Sequence, residues 1–317
     1  MSPGSKNKPS SEEQHRLASR QPALWIRAKI LQSMRRFFIE RGYLEVETPH
    51  LIPAPAPEIH IDAFPVGNLF LHTSPELCMK RLLSAGYPKI FQVCRCFRQG
   101  ERGERHLPEF TMLEWYRTGS DYTGLMEECE ALILSLSFDL GMGEKIEYQG
   151  EEILLARPWK RLTLQEAFDR FSTTTLEKAL GSGRLDQLIV EQIEPHLKKL
   201  GATFLHDYPS SLAALSRLKD QDSGLAERFE LYISDLEVAN AFSELTDAEE
   251  QAYRFEKEQQ KRKQLGKTVY PMPEKFLQAL HHMPRSAGIA LGVDRLVMLF
   301  TDKTDIKDVT AFTPEEL

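Results

Sequence analysis

Residues 96–117 read CFRQGERGERHLPEFTMLEWYR, and the parsing of this stretch decides the fold. Apolar and small residues run through 90–97 and again through 110–117, and each run has the length and composition of a strand. Between them lies a polar loop, 98–108, holding Arg98, Glu101, Arg102, Glu104, Arg105 and His106. Two strands around a charged loop predict a hairpin with an enlarged turn, the kind of segment that commonly carries function.

Working outward, the spacing of Leu24, Ile26, Ile30, Leu31, Met34, Phe37 and Phe38 predicts an amphipathic helix over 22–41. Residues 43–47 alternate as a strand does. The IPAPAPE run at 52–58 cannot hold a helix and reads as an extended loop. A short strand near 69–72 precedes a helix from Pro75 to about Gly86, with Thr73 or Ser74 as its cap. Downstream, helices are expected over 122–140, 163–171, 185–200, 251–265 and 293–300. Strands are expected over 203–208, 229–233, 236–242 and 288–291. Unevenly placed helices among strands favour an α+β fold with an antiparallel sheet over alternating βαβ units.

Three segments carry chemistry. In the first hairpin, an arginine fork such as that of Arg98 binds carboxylate or phosphate bidentately. Phe110 offers a face to a planar base, while Glu114 and Tyr116 alternate onto one face and can take an ammonium group. Charge count alone fits a surface hairpin laced with ion pairs equally well. In the second, if Ser234 and Asp235 form a two-residue turn, Glu230, Tyr232, Glu237 and Ala239 share one sheet face. Two carboxylates there suit Mg²⁺ on nucleotide phosphates, or are simply solvated. In the third, Gly288 and Gly292 permit close backbone approach, and Arg295 begins an apolar helix. That arginine opposes the helix dipole unless an anion lies near, either a phosphate or a carboxylate such as Asp294 or Glu237.

The whole chain of 317 residues is 41% hydrophobic and 27% charged, a globular balance, and its net charge of −7 argues against binding driven by nucleic-acid phosphates. Four cysteines make no disulfide framework, and reduced thiols suit the cytosol. Cys94 and Cys96 stand too close for the usual zinc pair and read as small residues on one strand face. Residues 1–21 read as a polar, disordered tail ahead of one catalytic domain, 22–317. No apolar run is long enough for a membrane span.

GYLEVETP, FRQGERGERHLPEFTMLEWY and GIALGVDRL, in this order, resemble motifs 1, 2 and 3 of class II aminoacyl-tRNA synthetases. HLPEFTMLEWY with EVANAFSELTDAEEQ narrows the resemblance to the lysine-specific core. Lysyl-tRNA synthetases place an anticodon-binding barrel before motif 1, and some twenty polar residues are too few for one. The chain is thus most similar to the elongation factor P–lysine lysyltransferases. That resemblance implies a six-stranded antiparallel sheet flanked by helices, a homodimer formed through motif 1, and a cytoplasmic enzyme. It also implies activation of lysine or (R)-β-lysine with ATP and Mg²⁺ and transfer to a lysine of elongation factor P, with tRNA not the acceptor.

By matching position, the resemblance makes Arg98 and Arg295 the catalytic arginines. It surrounds ATP with Arg98, Gly100, Glu101, His106, Phe110, Glu237, Val238, Gly292 and Arg295. Glu230 and Glu237 would hold the metal. Ser74, Pro75, Glu76, Glu114, Tyr116, Glu244 and Ala290 would line the amino-acid pocket. The family's Arg-Asn-Glu is Arg98-Gln99-Gly100-Glu101 here, so the adenine-reading glutamate is displaced by one position. Leu107 stands where the lysine synthetases have asparagine, and Ala290 where they have glycine. Two other readings stay open in the sequence: a truncated tRNA ligase, and a non-catalytic paralogue that binds lysine or adenylate.

Overall fold

In the computed structural model, which describes residues 11–317, the charged stretch forms the expected hairpin. It lies within an eight-stranded sheet: β1 (Leu44–Glu45), β2 (Lys89–Phe97), β3 (Glu109–Thr118), β4 (Lys160–Thr163), β5 (Ala202–Pro209), β6 (Leu225–Ile233), β7 (Leu236–Ser243) and β8 (Ser286–Gly292). The spatial order is β1-β2-β3-β8-β7-β6-β5-β4. The six strands from β2 to β5 pair antiparallel throughout, as expected. The count of six is corrected to eight by two short flanking strands, β1 and β4, which pair parallel. At two and four residues they bury too little alternating sequence to announce themselves as part of the same sheet.

One face of the sheet is covered by helices Gln21–Glu40, Tyr122–Asp139 and Val293–Phe300, whose apolar stripes share a core with Phe91, Leu113, Trp115 and Ile289. Phe38 sits at its centre, 4.9 Å from the Phe91 ring, 5.1 Å from Trp115 and 5.1 Å from Tyr43. Each such side chain contributes roughly 1.5–3 kcal/mol by leaving water, so this packing fixes the hairpin from behind. The opposite face stays open between the hairpin, β7, β8 and the helix Glu76–Ser84. No helix among the described residues is long and apolar enough to cross a membrane.

Two expectations need correction. Part of the segment read as a disordered tail, Ser11–Ser19, is helical, and the next residue, Arg20, is buried against the C-terminus, donating to Glu316 at 2.7 and 2.9 Å. Residues 1–10 of that segment lie outside the described residues. The helix expected over 185–200 is divided into Leu185–Leu188, a π-helical turn Ile189–Ile193, and Glu194–Leu200. Pro195 has no N–H to continue the ladder, which accounts for a break at this point.

Candidate active site

The outer end of the open cleft is built on the 98–108 loop. Gly100 takes a positive φ of 85°, a conformation only glycine adopts at no steric cost, and the turn it permits brings Glu101 to the cleft wall. Arg98 lies 5.1 Å from the centre of the Phe110 ring and 3.7 Å from Glu101, so fork and aromatic face stand together. Arg105 clamps the loop to the β6–β7 turn, donating to Asp235 O at 2.7 Å and to its carboxylate at 2.5 Å.

Arg295 donates to Glu237 O at 2.7 Å, lies 3.4 Å from the Glu237 carboxylate and meets His106 Nε2 at 2.6 Å. The anion that offsets the helix dipole is therefore Glu237. Asp294 is engaged elsewhere, accepting from Arg27 and from Thr111 N, each at 2.6 Å. Partial desolvation and then the Arg295 guanidinium push the His106 pKa below the ordinary histidine value, so the ring is a neutral acceptor.

The turn at Ser234 and Asp235 forms, with Ser234 at φ 60°, and Tyr232 faces Glu237 as expected. The next step differs. Leu231 faces Ala239, so Val238 is an extra residue on β7 and Glu230 faces Asn240 instead of Ala239. The bulge turns Ala239 into the core and keeps Glu230, Glu237 and Asn240 on the open side. Glu230 accepts from Arg228 at 2.6 Å and Tyr232 at 3.0 Å. Its pKa is raised, by burial first, against the pull of Arg228 and with the push of Glu237.

At the inner end, Ser74 Oγ donates to Glu114 at 2.6 Å and accepts from Glu76 N at 3.0 Å, but the cap of the Glu76–Ser84 helix is Pro75, not the expected Thr73 or Ser74, because the helix begins one residue later than read. Tyr116 OH donates to the other Glu114 oxygen at 2.7 Å. Glu114 is buried and has no ion pair among the described residues, and burial, then Glu76, raise its pKa to about 8. Glu244, fully buried, lies against Lys80, which also reaches Glu76 at 2.5 Å, and burial raises its pKa to about 8 against the pull of Lys80. Burial works against the Lys80 charge, but Glu244 and Glu76 outweigh it and hold the ammonium protonated.

Gly288 is needed here. A Cβ on it would collide with the Tyr116 ring and with Glu244. Gly292 is different, since a Cβ there would meet only the Arg295 side chain at an ordinary 3.6 Å. Ala290 pairs with Glu114 on one side and Asn240 on the other and lines the cleft.

Of the residues expected at the site, Ser74, Glu76, Arg98, Glu101, His106, Phe110, Glu114, Tyr116, Glu237, Val238, Ala290, Gly292 and Arg295 line this one cleft. Glu230, Glu244 and Pro75 stand just behind the wall, through Arg228, Lys80 and Ser74 respectively, and Gly100 shapes the turn without lining it. Sequence reasoning missed Lys80, Arg228, Asn240 and the half-buried Glu58. Arg228 was accessible from alternation, being two residues before Glu230. Glu58 had no periodic signal. It lies in the cleft because buried Arg262 holds the carbonyls of Glu58 and Ile61 at 2.6 and 3.0 Å, and burial, then Glu76, raise its pKa to about 7.

Comparison with known proteins adds to this geometry. Residues 14–316 match the class II tRNA synthetases described as D, K and N. The chain is 42% identical over 303 residues to the elongation factor P–(R)-β-lysine ligase of Pseudoalteromonas translucida (strain TAC 125), covering 90% of this chain and 93% of that protein. It is 41% identical over 309 residues to the ligase of the same name from Salmonella gallinarum (strain 287/91 / NCTC 13346), covering 92% of this chain and 95% of that one. With a family match over nearly the whole chain and relatives above 40% identity covered almost end to end, the chain belongs to the class II tRNA synthetases of the D, K and N group and, within them, to the elongation factor P–(R)-β-lysine ligases.

Proposed function

We propose that the protein uses ATP to activate lysine or (R)-β-lysine as an acyl-adenylate and transfers the acyl group to a lysine side chain of elongation factor P. The observation that carries this reading is the polarity of the cleft: arginines and a flat aromatic face at one end, a buried carboxylate without a cation at the other. In the first step the substrate carboxylate attacks the α-phosphorus of ATP and pyrophosphate leaves. Arg98 and Arg295 meet the charge on the transferring phosphoryl group, while Phe110 and Glu101 hold adenine, so the chain acts by positioning and electrostatics. In the second step the deprotonated ε-amine of the acceptor lysine attacks the mixed anhydride carbonyl, an amide forms and AMP leaves.

Glu230 and Glu237 are hard oxygen donors on one face, and the mutual repulsion that helps raise the Glu230 pKa is what a divalent cation relieves. The pair therefore fits Mg²⁺, which when bound neutralises charge on the phosphates. Arg228 pairs with Glu230 and Arg295 with Glu237. Exposed Trp25, Ile39, Leu44 and Leu51 on and beside the first long helix support a homodimer through that face. Four free cysteines support a cytoplasmic protein.

Two measurements test the reading. Pyrophosphate exchange should depend on lysine or (R)-β-lysine, and no exchange with either ends the ligase proposal. Offering the preformed adenylate to elongation factor P and to tRNA should acylate the factor; acylation of tRNA alone would replace this reading with a tRNA ligase.

A pH effect accompanies substrate binding. The Glu114 pKa of about 8 means the carboxyl is protonated below that pH in the free protein, whereas an ammonium group favours the ionised form. Lysine binding near pH 7 is therefore expected to release a proton, and its affinity to rise about tenfold per pH unit below the pKa. Calorimetry in two buffers of different ionisation enthalpy reads this release directly. Glu114→Gln should remove it, and a wild-type protein that binds lysine without proton release would exclude Glu114 as the receiving group.

A further inference from the structure

Behind the Phe110 platform lies a cluster that the activation chemistry does not use: His72, Cys94 and Cys96, whose ligand atoms all lie within 4.8 Å of one another. All three side chains are buried. The two sulfurs are 3.9 Å apart because strand alternation sends both to the same face of β2. Two zinc–sulfur bonds of about 2.3 Å at the tetrahedral angle place their sulfurs about 3.8 Å apart, so the thiols already stand at ligating separation. Met112 adds a third sulfur 4.0 Å from Cys96.

His72 supplies the independent observation. Its Nε2 lies 2.7 Å from the Arg95 carbonyl, which can only accept, so Nε2 carries the hydrogen and Nδ1 bears the lone pair. That Nδ1 is buried and has no hydrogen-bond partner among the described residues. Leaving such an acceptor unsatisfied costs about 1–3 kcal/mol. A ring nitrogen fixed through its opposite N–H to a backbone carbonyl is the usual arrangement of a metal-ligating histidine. The backbone is fixed too, since His72 N donates to His50 O at 2.8 Å and Phe97 N donates to His72 O at 3.1 Å.

From the geometry we infer that His72 Nδ1, Cys94 Sγ and Cys96 Sγ form a site for one thiophilic d¹⁰ ion, Zn²⁺ or Cu⁺, with Met112 as the neighbouring fourth donor. Two sulfurs, an imidazole and a thioether select soft ions over Mg²⁺ or Ca²⁺. The ion joins β2 to the segment leading into Ser74, and so braces the base of the hairpin from beneath the cleft wall that Met112 lines. Sequence spacing alone argued against a zinc pair because a single residue separates the two cysteines, and the third ligand, 22 positions before Cys94, carried no signal along the chain.

The whole chain, purified under reductant and stripped with chelator, is titrated with Zn²⁺ in one arm and Cu⁺ in another against a chromophoric competitor. One ion per chain is expected in at least one arm, with affinity about 100-fold weaker in Cys94→Ser and Cys96→Ser and unchanged in Cys78→Ser. Pyrophosphate exchange checks that each variant is folded. Should the serine variants fail to fold, X-ray absorption on the metal-loaded wild type decides: one nitrogen with two sulfurs, or three when Met112 ligates, supports the site, and an oxygen and nitrogen shell overturns it. Absence of stoichiometric binding in both arms, or binding that survives Cys94→Ser with Cys96→Ser, also overturns it.

Discussion

Replacing Arg98 by alanine is expected to lower pyrophosphate exchange by about 10³-fold, near the range found when a single donor to a developing oxyanion or phosphoryl charge is removed. Arg98 is anchored only lightly, its Nε 3.5 Å from the Thr73 carbonyl and its Nη1 3.7 Å from Glu101, with the Phe110 face beside it. A guanidinium held by a platform and two weak polar contacts is free to redirect its fork onto carboxylate and phosphate. Arg98→Lys should restore little, because a single ammonium cannot bridge two oxygens in the plane of the fork. The loss should fall on kcat and kcat/KM together, since the interaction is made with charge that develops during transfer. Melting temperature should hardly move, as the side chain packs against no core residue. Near-normal exchange in Arg98→Ala would remove Arg98 from the mechanism, and an equal loss with collapse of the fold would assign it a structural role instead.

How far the sequence reaches is clearest from residues that it placed well and badly. The hairpin was legible because two apolar runs of strand length flank a charged loop, and the pairing from Lys89 to Phe97 is regular. The Glu230–Glu237 face was legible only in part. A turn sets register for the first pairs, but the bulge at Val238 depends on core packing, and from there the partner of Glu230 shifts by one. Lys80 was not legible at all. Four residues after Glu76 on a helix, it reads as an exposed ion pair, and only tertiary packing shows it sealed between two acids. His72 and the two cysteines are alike in this respect: each is unremarkable along the chain, and their relation exists only across strands. The burial of Arg20 was hidden because its partner, Glu316, is 296 positions away.

Lys80→Met is expected to have the largest effect on stability. The side chain is buried, with its ammonium against Glu76 and Glu244 and 5.0 Å from the Phe242 ring centre. Removing one partner of a buried pair leaves the other charge uncompensated, a loss of about 3–5 kcal/mol. At roughly 2–4 °C per kcal/mol for a chain somewhat smaller than this one, the melting temperature should fall by about ten degrees. The effect should depend on pH with a definite sign. Beside Lys80, burial already raises the Glu244 pKa to about 8, and without Lys80 it rises further. Relative to the wild type, stability is retained in acid, where Glu244 is neutral in both proteins, and lost as pH rises through that value, so the deficit should be small near pH 5 and grow above about pH 8. Adding Glu244→Gln removes the stranded charge and should recover much of the loss, a coupling that a double-mutant cycle measures. Lysine itself provides the last discrimination. In the variant, the substrate ammonium finds Glu76 and Glu244 unpaired beside the Glu114 that the wild type already offers, so added lysine should raise the melting temperature of Lys80→Met more than that of the wild type. Equal shifts, together with a pH-independent loss, would mean that Lys80 contributes by packing and not by pairing with the acids of the pocket's inner end.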